Sequence, residues 1–169
     1  MRHARVRVDE VAVAPDKCFR ELTLDVDVPG AVRTARAVTV TTLAGWGLGA
    51  LADDAALVVS ELVGNVVHHA VPDGGRLRAG ASRRARVAFL GWPKWLFIGV
   101  TDEDSSPPVV PVEEAFPPGR LDGSPDAVVS DRGRGLLIAR RLSDALWWTP
   151  REGEGKTVFC RFDLRPEHD

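Results

Sequence analysis

The order of its elements predicts an α/β protein: a two-layer sandwich whose mixed, mostly antiparallel sheet carries its helices on one face. Three observations lead there. A strand-like alternation precedes two helical stretches, two apolar strands follow around a tight turn, and a short helix then leads into a final strand pair. Such an order buries one apolar sheet face most simply under a single layer of helices.

The alternation runs from Phe19 to Val28, with Leu22, Leu24, Val26 and Val28 on one face and Glu21, Thr23, Asp25 and Asp27 on the other. That is the period of a half-buried strand. Pro29-Gly30 breaks it, and Val32, Ala35, Val38 and Leu43 then recur at helical spacing until Gly45-Trp46-Gly47. From Leu51 to Ala70 the pattern is helical again, with a wide stripe of Ala55, Val58, Val59, Leu62, Val63, Val66 and Val67. Valine lowers intrinsic helix propensity, so this helix depends on burial.

Strands are expected over 84–90 and 95–101, joined by Gly91-Trp92-Pro93-Lys94. The second is almost continuously apolar and should be central. Residues 102–133 carry Pro107, Pro108, Pro111, Pro117, Pro118 and Pro125, which preclude a long element. A connection this long implies a lid over a site or an insert. A helix over 135–145 and a hairpin of 146–149 with 156–164 complete the order. The expected domain is 19–164, with a lid at 103–133, an N-terminal extension at 1–18 and a C-terminal tail at 165–169.

The 22 Lys and Arg against 24 Asp and Glu give a net charge of -2, which leaves no global footprint for nucleic acid. Arg83, Arg84 and Arg86 read as a solvated face. Cys18 and Cys160 are far apart and flanked by apolar residues, so buried free thiols in a reducing, cytoplasmic setting are expected. No secretory leader and no apolar run long enough to span a membrane is visible.

Glu61 and Asn65 stand one turn apart on the long helix, and His69 one turn further. This polar column reads either as a solvent stripe or as a site: an asparagine oxygen suits a hard cation, and a nearby glutamate can take a proton from a hydroxyl. Asp102 ends the buried strand, as a turn residue or as an acceptor for an amino group in an apolar pocket. Gly133-Arg134-Gly135 precedes a helix, either as simple initiation or to bring backbone N–H groups near phosphates. Gly155-Lys156-Thr157 enters the last strand, with Thr157 offering a hydroxyl. There is no P-loop and no dinucleotide fingerprint.

Together these residues resemble a known family. Glu61-Leu62-Val63-Gly64-Asn65-Val66-Val67-His68-His69-Ala70 resembles the N box of the ATPases that include histidine kinases, gyrase B and Hsp90-type chaperones. Val100-Thr101-Asp102 and Gly133-Arg134-Gly135-Leu136 are similar to the two glycine-box regions, and Gly155-Lys156-Thr157-Val158 to the last strand entry. The narrower resemblance is to the stand-alone anti-sigma-factor serine/threonine kinases of actinobacteria. The glycines that follow the first-box aspartate in histidine kinases are missing here.

The resemblance implies a Bergerat-type fold that binds ATP and Mg²⁺. It implies that Asn65 holds the Mg²⁺, that Glu61 activates the attacking hydroxyl, and that Asp102 accepts from the adenine amino group. Gly133, Arg134 and Gly135 would cradle phosphate, Thr157 would support the adenine end, and His69 would lie nearby. The implied activity is transfer of the γ-phosphoryl group to a serine or threonine of an anti-anti-sigma-like protein, with a sigma factor as a second partner and a homodimer as a possible state. The alternative is a non-catalytic interaction protein with nucleotide structural or absent.

Overall fold

The computed structural model describes residues 7–14, 17–71, 82–108 and 134–164, with only the backbone described for 7–14 and at residue 17. Its strands are β1 (Arg7–Ala14), β2 (Lys17–Asp25), β3 (Arg84–Gly91), β4 (Trp95–Asp102), β5 (Ala145–Pro150) and β6 (Lys156–Asp163). The helices are α1 (Ala31–Gly45), α2 (Ala52–His69) and α3 (Arg134–Leu142), with a 3-10 turn at Gly49–Leu51 before α2.

The strands form one sheet in the order β1-β2-β3-β4-β6-β5. Every ladder is antiparallel, so the sheet expected to be mixed is uniform among the described residues. β4 is central, as its apolar run requires. Within the N-terminal extension, Arg7–Ala14 pairs with β2 and forms an edge strand.

Alternation sorts the side chains. Leu22, Leu24, Ala85, Val87, Phe89, Leu96, Ile98, Val100, Cys160 and Phe162 point to the helical layer and form the core with Ala55, Val58, Val59, Leu62, Val63 and Val66 of α2. Each large side chain removed from water here contributes roughly 1.5–3 kcal/mol. Among the described residues the opposite face carries no helix. On it Trp147 stacks on Phe159 with ring centroids 5.4 Å apart, and Phe97 meets Trp147 edge-on at 6.3 Å. Of the two cysteines, Cys160 is buried and Cys18 is exposed, which corrects the expectation of two buried thiols. Burial pushes the Cys160 thiol up to about 12.

α1 starts after Gly30, whose φ of 97° is a left-handed conformation that glycine adopts without penalty. α2 has Asp53 and Asp54 in its first turn, negative charges that suit the positive end of the helix dipole, and His68 and His69 in its last. Its C-terminal carbonyls find a partner that the sequence did not announce. Arg83 Nη1 donates to the carbonyls of Ala70 at 3.0 Å and Val66 at 3.4 Å, and Nη2 to that of Val67 at 3.1 Å. Its Nε and backbone N–H both donate to the Asp27 carboxylate at 2.8 Å. The backbone bond from Arg83 is the largest influence on Asp27 and helps to hold its carboxyl below the usual range. Arg83 therefore ties the end of α2 to the end of β2 and satisfies carbonyls that a helix terminus leaves open.

Arg83→Ala should lower stability by about 1–3 kcal/mol, the range for losing hydrogen bonds to a charged group, as read by urea denaturation. A bulky disulfide reagent at pH 8 should titrate Cys18 rapidly in the native protein and reach Cys160 only on unfolding.

Candidate functional site

A cavity of about 440 Å³ opens between the helical layer and one end of the sheet. Its walls include Leu62, Asn65, Val66 and His69 of α2, Val100 and Asp102 of β4, Leu136 of α3, and Lys156 and Val158 of β6. Apolar side chains form most of the surface and a few polar groups converge at one end, which is the usual make-up of a small-molecule site.

The polar column on α2 turns toward α3. A Cβ built on Gly135 would lie 2.8 Å from Glu61 Oε2, 3.3 Å from Glu61 Cβ and 3.4 Å from Asn65 Oδ1. The absence of a side chain thus lets the start of α3 close onto Glu61 and Asn65, which are half-buried there. His69 lines the same cavity but is exposed at its rim, beside His68. Arg134 is the first residue of α3 and exposed, whereas Gly133 lies outside the described residues. Of the expected lid only 103–108 are described, and Ser106, Pro107 and Pro108 border the cavity.

Asp102 lies at the polar end, 6% exposed. Lys156 Nζ donates to Asp102 Oδ1 at 3.2 Å and to the Asp104 carbonyl at 2.7 Å, and it lies 3.1 Å from Asp102 Oδ2. Asp104 N–H also donates to Asp102 Oδ1 at 3.0 Å. Burial is the strongest influence on Asp102 and raises its carboxyl above the ordinary value, against the pull of the Asp104 N–H and the Lys156 charge. Asp104 is also pushed up most by burial, but bonds from Ser106 and Val71 outweigh this and leave its carboxyl lowered. Residues of the acidic run 102–104 diverge as strand geometry dictates: Asp102 and Asp104 face Lys156, while Glu103 accepts from the Arg84 N–H at 3.4 Å.

Lys156, to which the sequence reading gave no role, lines the cavity, whereas Thr157, expected to support the adenine end, does not. Thr157 is buried, but its hydroxyl lies 2.9 Å from that of Thr101, and its methyl flanks Gly99 beside Phe159. Those neighbours belong to the helix-free face, so Thr157 stands on the side of the sheet away from the cavity. The signal was available: Val158 is a core residue, and Lys156 shares its face at a spacing of two. Gly155 allows this strand entry. Its φ is 87°, and a Cβ there would overlap the Asp102 carbonyl oxygen.

The arrangement suits a nucleotide with a divalent cation. Asn65 offers a hard amide oxygen and Glu61 a carboxylate, both at the Gly135 approach, where a side chain would fill the space. Among the described residues no group of three His, Cys, Asp or Glu side chains could hold a metal. A Mg²⁺ bound at Asn65 would therefore draw other ligands from phosphates and water, as this ion commonly does.

The two glycines near Glu61 should respond oppositely to substitution. Gly135→Val should destabilise the fold by about 1–3 kcal/mol, because α3 must move off Glu61. Gly64→Ala, which meets nothing within 4 Å, should be stabilising by about 0.5–1 kcal/mol, the mid-helix cost of glycine. Urea denaturation of both variants checks the contrast.

A search among curated proteins finds no match to the chain. The family model described as the histidine kinase-like ATPase domain matches residues 27–162, a span that includes α1, α2, α3 and every residue named around the cavity. With that match goes ATP binding. The chain belongs to the histidine kinase-like ATPase domain family.

Proposed function

We propose that this protein is an ATP-dependent protein serine/threonine kinase of the anti-sigma type. The observation that carries the reading is the close approach of Gly135 to Glu61 and to Asn65, which lines the same cavity as Asp102. Asn65 would hold Mg²⁺, which when bound neutralises the charge of the phosphates. Glu61 would take the proton from a serine or threonine hydroxyl of the acceptor as its oxygen bonds to the γ-phosphorus. The bond from that phosphorus to the bridging oxygen breaks, and ADP leaves. Phosphoryl transfer asks the protein mainly for such positioning and charge stabilisation. Arg134 and the N-terminal end of α3 would face phosphate. The acceptor would be an anti-anti-sigma-like protein in the cytoplasm, with a sigma factor as the sequestered partner and a homodimer as the working unit.

A second reading is favoured by one observation. Asp102 is already engaged by Lys156, which suits an interaction protein that binds its regulator without turnover, with nucleotide structural or absent. Calorimetry with ATP and ADP, with and without Mg²⁺, separates the two.

Incubation with Mg²⁺, labelled ATP and a cognate anti-anti-sigma-like protein should transfer label. Glu61→Ala should keep ADP affinity within a few-fold and lose transfer by about 10²–10⁴, the usual contribution of a positioned base. Asn65→Ala should abolish the dependence of ADP affinity on Mg²⁺. Wild-type protein that binds ADP but labels no acceptor would leave the non-catalytic reading standing.

A further inference from the structure

Lys156 is a buried cation in the wall of a nucleotide cavity, 7% exposed, and its bonding leaves something over. Its ammonium has three protons. One is shared by the Asp102 carboxylate, whose Oδ1 and Oδ2 lie 3.2 and 3.1 Å from Nζ, and one goes to the Asp104 carbonyl. The Asp104 carboxylate, at 3.7 Å, is too far to take the third as a hydrogen bond. The Asp102 carboxylate shows the matching remainder. Oδ1 accepts from Asp104 N–H and faces Lys156 Nζ, while Oδ2 faces Nζ alone, at 3.1 Å, and keeps a lone pair open.

One donor and one acceptor therefore stand side by side at the polar end of an otherwise apolar cavity. Adenine presents the complement along its outer edge, an exocyclic amino donor beside the N1 acceptor. A carboxylate alone can read only the amino group. We propose that Lys156 is a second base-reading residue of this site, donating to N1 of the purine while Asp102 Oδ2 accepts from the amino group. The assignment rests on the nucleotide reading of the cavity and adds a direct protein contact to the base.

The position of Lys156 supports a built role over an incidental one. A lysine at a strand entry ordinarily extends to solvent, and burying its charge is costly unless it is paired. Here Gly155 lets the strand press against the Asp102 carbonyl, and Asp102 and Asp104 supply the compensation. The charge is thus held in place before any ligand arrives, which lowers the ordering cost of using it.

The test compares ADP with 1-deaza-ADP, which replaces N1 by a C–H and keeps the amino group, by calorimetry on the full chain. Wild-type protein should bind 1-deaza-ADP about tenfold or more weakly, the loss expected for a buried hydrogen bond to a charged donor. Lys156→Met should weaken ADP and bind the two nucleotides about equally. A purely structural lysine would weaken both without closing the gap. Equal binding of the two by wild type overturns the assignment and needs no variant to fold. A gap that persists in a folded Lys156→Met, judged by its circular dichroism, also overturns it, since another group then reads N1. No ADP binding by wild type overturns this assignment and the nucleotide reading together, whereas the first two results leave the nucleotide reading intact.

Discussion

The buried pair of Asp102 and Lys156 is the constraint around which the ligand end of the fold is organised. A carboxylate and an ammonium removed from water are tolerated only when nearly every lone pair and proton is used. Meeting that demand recruits the surrounding chain. Asp104 folds back to give its N–H to Asp102 and its carbonyl to Lys156. Its carboxylate takes the Val71 N–H at 3.3 Å, just past the end of α2, and the Ser106 N–H at 2.8 Å. Ser105 accepts from the Gly155 N–H at 2.8 Å. The exit of β4, the exit of α2 and the entry of β6 are thereby joined through one set of polar contacts. Breaking either member would leave the other charge buried and alone, so the pair locks these three segments together more than it stabilises the fold outright.

α2 answers two demands at once. Its apolar stripe is pressed into the sheet, while Glu61 and Asn65 must remain polar and face α3. The two are compatible because the stripe leaves one side of the helix free, and because α3 presents a glycine where it meets that side. Placement along the helix axis is set separately, by Arg83 gripping the last carbonyls and Asp27 together. The site residues are therefore fixed from below by packing, at the end by a charged clamp and across the gap by steric fit. Nothing in this scheme requires Glu61 or Asn65 to contribute stability, which leaves them available for ligand.

Much of this was legible in the residues because it follows from periodicity. The helical stripe of α2, the central apolar strand β4 and the final hairpin appear where their spacing puts them. The features that escaped depend on pairings across the chain. Arg7–Ala14 has only the short apolar run Val11–Ala14, and its pairing with the outer side of β2 is not marked within the segment itself. Arg83 looked like one of three solvated arginines, and only its 56-residue separation from Asp27 in sequence hides the clamp. Cys18 has the parity of Leu22 and Leu24, yet it stands near the start of β2 opposite Gly91 and is exposed there. In the candidate site, Glu61, Asn65 and Asp102 were singled out by the family resemblance, since position on their elements left a solvent stripe and a turn residue equally open. Their union with Gly135 was not, since it rests on how closely two helices approach.

Thr157 and Lys156 show how narrow the margin is. Adjacent residues in a strand belong to opposite faces, so an assignment displaced by one position moves a proposed contact through the sheet. The Thr157 hydroxyl took its expected role from the family resemblance, and Lys156 was given none, as suits a lysine at a turn that reaches solvent. That preference holds for an isolated side chain and fails for one whose neighbours can neutralise it. Asp102 and Asp104 supply opposite charge at the depth of the strand, and Gly155 removes the bulk that would hold the strand away. The electrostatic environment thus decides which residue can point inward. The threonine is left to pair with Thr101 on the far face, where a hydroxyl can be satisfied without a charge.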